Sequence, residues 1–176
     1  MSENVLVHSG AEELALERPR AFDTIMYGGI IVGVLDGLYA VIATGLRGVS
    51  PTRVFQFIAS ALLGRAAFDG GFKTALLGGL LHFLIAFLIA AVYYGASLRF
   101  PILIRRAILW GLSYGVAVYF VMNYIVLPLT AVQRARTSPS FAQLLIHVIG
   151  HALLVGLPVA LIARWSARKA SRQTDI

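Results

Sequence analysis

Four stretches of this 176-residue chain run for more than twenty residues each without a Lys, Arg or Glu: 24–46, 74–98, 107–133 and 137–163. A hydrocarbon core about 30 Å thick is crossed by about 20 helical residues, so each stretch is long enough to span one. Asp36 is the only formal charge in any of them. Were these the buried helices of a water-soluble protein, polar elements would have to cover them, and the remaining chain has almost none to offer. With 59% hydrophobic and 13% charged residues and a mean hydropathy of +0.81, the chain is far more apolar than a soluble domain. The expected fold is all-α, a single polytopic membrane domain over 24–163 with four transmembrane helices.

The net charge of +7 would suggest a polyanionic partner in a soluble protein. Here the charges flank the apolar runs, so the lipid bilayer is the expected partner and nucleic acid is not. Residues 1–23 carry Glu3, Glu12, Glu13, Glu17 and Asp23 beside Arg18 and Arg20, unlike a secretory signal, which opens basic and turns apolar. The first span is then an uncleaved anchor, and with four spans the basic tail 164–176 shares a side with the N-terminus. That side holds nine Lys and Arg (Arg18, Arg20, Arg99, Arg105, Arg106, Arg164, Arg168, Lys169, Arg172) against six on the other (Arg47, Arg53, Arg65, Lys73, Arg134, Arg136). The excess predicts cytoplasmic termini. Zero cysteines exclude disulfides, thiolate metal sites and cysteine nucleophiles.

Between the first two spans, Ser50 can cap a helix opened by Pro51. Over 51–64 this helix gathers Val54, Phe55, Phe57, Ile58, Ala61 and Leu62 opposite Arg53, Gln56 and Ser60. Fourteen residues rise only about 21 Å, so an interfacial or re-entrant helix on the outer face is expected, ending near Asp69-Gly70-Gly71.

Helices in lipid associate through small residues. Gly29, Gly33 and Gly37 form one such row, extended by Ala40 and Ala43; Gly78 stands on a similar face of the second span, and Gly111 and Gly115 on the third. The scarce polar groups share those faces. Asp36 lies between Gly33 and Ala40, His82 lies four residues from both Gly78 and Ala86, and His147 and His151 flank Gly150. Together with Asn123 they are expected to line a polar cavity in the outer half of the bundle.

An ionisable group at such depth is costly and therefore a functional candidate. Asp36 could attract a cation and the histidines could bind or exchange it, with Asn123 hydrogen-bonding at the entrance. The same groups could instead be glue between helices in a non-catalytic accessory subunit. His147 and His151 are spaced as two metal ligands on one helical face, to be completed by Asp36 or His82. His82 and His151 could also be opposed haem ligands. No Walker lysine loop, GxSxG, HExxH or GxGxxG is present, so no enzyme is expected, and no cofactor is specified.

Leu81-His82-Phe83, the run Ile85 to Tyr94, Trp110-Gly111-Leu112, Pro128-Leu129 and Ile149-Gly150-His151 resemble the YagU-like family of uncharacterised bacterial inner-membrane proteins. The resemblance covers the last three spans. It implies an inner-membrane address and matches His82 and His151, without requiring a histidine at His147. The resulting expectation is a small channel-like or transport protein of the inner membrane, homo-oligomeric or docked on another membrane protein.

Overall fold

A computed structural model describes residues 18–132 and 140–174, all helix, turn or loop, with no strand among the described residues. Four helices are long and apolar enough to cross a membrane: Asp23–Gly45, Gly71–Arg99, Ala107–Leu129 and Phe141–Ala170. An α-helix satisfies its own backbone polar groups, which is why it is the element that tolerates lipid. The expected all-α, four-span architecture is therefore the one adopted, with a short helix, Pro51–Leu63, between the first two spans.

Local chemistry sets the element ends. Ser50 Oγ accepts the Arg53 amide hydrogen at 3.3 Å, Pro51 follows in the first turn, and Gly64, at φ +57°, stops the short helix. Gly71, at φ +58°, opens the second span three residues before the expected 74. The third span ends at Leu129 instead of 133, because Pro128 lacks the amide hydrogen a continuing helix requires. Ser140 and Gln143 form a reciprocal capping box that starts the last helix at Phe141. That helix runs on to Thr174, so the expected basic tail is helical through Arg164, Arg168 and Lys169. Residues 1–17 with Glu3, Glu12, Glu13 and Glu17, the loop 133–139 with Arg134 and Arg136, residues 175–176 and the side chain of Arg172 lie outside the described residues.

Large and small residues are distributed as lipid demands. Of the eighteen buried apolar residues, ten are alanine and none of the described leucines is among them, whereas Leu38, Leu80, Leu84, Leu88 and Leu109 all face outward. Burying leucine gains little when the surroundings are as apolar as leucine itself, so close packing of small side chains carries association.

The glycines do this in two ways. Along the first span they receive rings: a Cβ on Gly29 or Gly33 would run into Phe87 or Phe83, and one on Gly37 would stand 3.1 Å from His82 Nε2. Gly78, Gly111, Gly115 and Gly156 instead let backbones touch. Gly78 lies under the Phe55 carbonyl of the short helix, and Gly111 and Gly115 nest against residues 151–157 of the fourth span. The first span thus packs on the second and fourth, and the third on the fourth. The second and third spans have no comparable backbone seam. Side chains bridge them: the Tyr93 and Tyr114 rings are 5.1 Å apart, and Tyr114 donates to the Ile89 carbonyl at 2.8 Å.

Each of the two wide π turns in the later spans, Met122–Val126 and Ala152–Gly156, stands just before a proline, Pro128 or Pro158. A proline ring collides with the carbonyl four residues back and offers it no hydrogen, and a widened turn relieves both problems.

Candidate functional site

The missing seam leaves space. A cavity of about 390 Å³ lies between the second and third spans, in the half of the bundle that holds the short helix. The first span contributes Val32 and Asp36, the fourth His151 and Val155, and the short helix closes one side with Phe57, Ile58, Ala61 and Leu62. At the other end the tyrosine bridge stands next to the lining residue Ile89.

Four of the five polar residues expected together line this cavity: Asp36, His82, Asn123 and His151. His147 does not. Its Nδ1 is hydrogen-bonded to the Tyr39 hydroxyl at 3.1 Å, and the Tyr39 ring also fills the space over Gly150, 3.1 Å from where a Cβ would stand. Thr130, absent from the expected set, joins the lining from the turn after the third span.

Hydrogen-bond direction defines the chemistry of this lining. A carbonyl can only accept, so each bond to one identifies the donor. His82 donates from Nε2 to the Gly33 carbonyl at 2.8 Å, and His151 from Nδ1 to the His147 carbonyl at 3.0 Å. Asn123 donates an amide hydrogen to the Tyr119 carbonyl at 3.0 Å, and Thr130 its hydroxyl hydrogen to the Leu127 carbonyl at 2.8 Å. In the neutral imidazoles the other nitrogens, Nδ1 of His82 and Nε2 of His151, carry lone pairs. The Asp36 carboxylate has no hydrogen-bond or ion-pair partner among the described residues. The polar part of the cavity is therefore dominated by acceptors.

The imidazoles are held firmly. His82 is buried, edge-on to Phe55 and Phe83 with ring centres 6.3 and 5.7 Å away, and sits where Gly37 leaves room for it. His151 stands edge-on to Tyr119 at 5.2 Å. No family model, curated protein or solved structure matches this chain.

Two expected ligand sites are not assembled. Among the described residues no three His, Asp or Glu side chains come close enough to hold a metal ion together. The metal pair His147 and His151 thus lacks a third ligand, and His147 is turned to Tyr39. For haem, His82 Nε2 is already engaged by the Gly33 carbonyl.

Two polar residues expected on the exposed side of the short helix are also buried. Gln56 donates to the Gly71 carbonyl at 3.0 Å and Ser60 to the Phe57 carbonyl at 2.6 Å. The helix accordingly turns part of its polar side onto the protein, while Phe57 and Leu62 stay largely exposed.

At the opposite end of the bundle lies a polar cluster that the sequence reading missed. Asp23 is buried at the start of the first span and accepts from Lys169 Nζ at 3.1 Å, with Arg20 Nε 3.9 Å away. The Arg20 amide donates to Ser166 Oγ at 2.7 Å, and Trp165 meets both Tyr27 and the Lys169 ammonium. An acid immediately before an apolar run and a lysine one turn past another were the available signals.

Proposed function

We propose that this is a small channel-like or transport protein of the bacterial inner membrane, non-enzymatic, that takes a cation into an outward-facing cavity at Asp36. What supports this reading is the direction of the hydrogen bonds. The four neutral polar side chains of the lining direct hydrogens at main-chain carbonyls, and the fifth polar residue is a carboxylate with no hydrogen-bond or ion-pair partner among the described residues. Such a lining favours a positively charged or hydrogen-donating guest and disfavours an anion.

The outward orientation follows from the nine-to-six excess of Lys and Arg on the side of the termini. The inner-membrane address is what the likeness of 81–151 to YagU-like proteins implies. A homo-oligomer, or a complex with another membrane protein, completes the proposal.

The test is transport in proteoliposomes, read with a proton-sensitive dye, a potassium-sensitive dye and radiolabelled cyclohexylammonium. At least one cation should cross faster than in protein-free vesicles, and Asp36→Asn should lower that rate about tenfold. Rates equal to those of protein-free vesicles for all three would leave the accessory-subunit reading in place.

A further inference from the structure

We infer that the guest is a compact organic ammonium, a protonated amine on an apolar body, and not a bare metal ion or a proton alone; this rests on the cation reading above. Three observations carry it. The first is composition: fifteen of the twenty lining residues are apolar. An inorganic cation gains nothing from Ile85, Val118 or Met122, whereas a hydrocarbon body gains contact with each.

The second is size. About 390 Å³ lies near the lower end of the ~300–1,000 Å³ that small-molecule sites occupy. It is far more than the ~30 Å³ share of one water in the liquid.

The third is the donor set. Hard cations stripped of water take about six or more oxygen ligands, and the lining offers a single carboxylate, with no three His, Asp or Glu side chains grouped as ligands among the described residues. A primary ammonium needs fewer partners, since it offers three hydrogens to point acceptors. Asp36 supplies the countercharge, with His82 and His151 in the lining of the same cavity. The apolar body then lies along the second and third spans toward Ile89.

The experiment uses the full chain in detergent and reads thermal unfolding and direct binding with four probes: cyclohexylammonium, cyclohexanol, potassium and ammonium chloride. Cyclohexylammonium should raise the unfolding temperature in a saturable way. Cyclohexanol, equal in shape without the charge, should bind at least tenfold more weakly, as loss of a charge-assisted hydrogen bond of ~1.5–3 kcal/mol requires. Asp36→Asn should remove the preference for the amine over the alcohol.

Saturable binding of potassium or ammonium with none of cyclohexylammonium would overturn the inference and leave the cation reading standing. Equal affinity for the amine and the alcohol would overturn both, because the cavity would then recognise only an apolar shape. Binding of none of the four would overturn both as well.

Discussion

The first span carries two aspartates thirteen residues apart, and their surroundings are opposites. Asp23, at the end that holds the chain termini, is buried and bonded to Lys169, beside Arg20 and a second tie through Ser166. Asp36, in the half that holds the short helix, looks into a cavity and has no partner among the described residues. At one end the buried acid is paired within its own chain. At the other, the carboxylate faces a cavity. The same helix therefore does two jobs, locking the first span to the fourth at one end and exposing a carboxylate at the other. What separates the two aspartates is an ion-pair partner among the described residues, which Asp23 has in Lys169 and Asp36 lacks.

Mutations can break this contrast. The largest effect is expected where backbones meet with no space for a side chain, as at Gly156, whose Cβ would enter the Gly111 carbonyl and the Gly115 backbone. Gly156→Ala should cost about 3 kcal/mol or more in reversible unfolding in mixed micelles. Gly45→Ala, with open space around it, should be neutral or stabilising by up to about 1 kcal/mol.

Asp23→Ala strands the Lys169 ammonium. Breaking a fully buried pair costs about 3–5 kcal/mol, but the Lys169 side chain is 39% exposed, so about 1–2 kcal/mol is expected in the same assay. Tyr114→Phe removes the hydroxyl bonded to Ile89 and should cost about 1 kcal/mol. Hydrogen exchange at the residues around Ile89 should rise with it.

The smallest effect sharpens the comparison most. Asp36→Asn should change stability by less than about 0.5 kcal/mol, since no internal bond is lost. A loss as large as that of Asp23→Ala would show that the two aspartates are alike after all.

The spans were legible because uncharged runs of this length leave a chain few alternatives. The placing of Asp36 and His82 on the cavity was legible too, because each lies a helical turn from small residues that must face neighbours. His147 broke that logic. Spacing alone put it with His151, but its nearest free space is taken by Tyr39. The glycine row of the first span pointed correctly to a packing face, yet its partners are the rings of Phe83, Phe87 and His82, and a glycine pattern does not say what fills it. Gln56 and Ser60 looked like a wet face because polar residues on an amphipathic helix usually are. Their hydrogen bonds to Gly71 and Phe57 make burial tolerable. The Asp23 cluster escaped notice since its members lie 146 residues apart.

The gap between the second and third spans has a mechanical meaning. Three edges of the bundle are joined by interlocked helices, while this one is held by a pair of phenols. The bundle is therefore a sleeve with one compliant slit. Any widening of the chamber beside Asp36 would first have to part the Tyr93–Tyr114 contact and the Tyr114–Ile89 hydrogen bond.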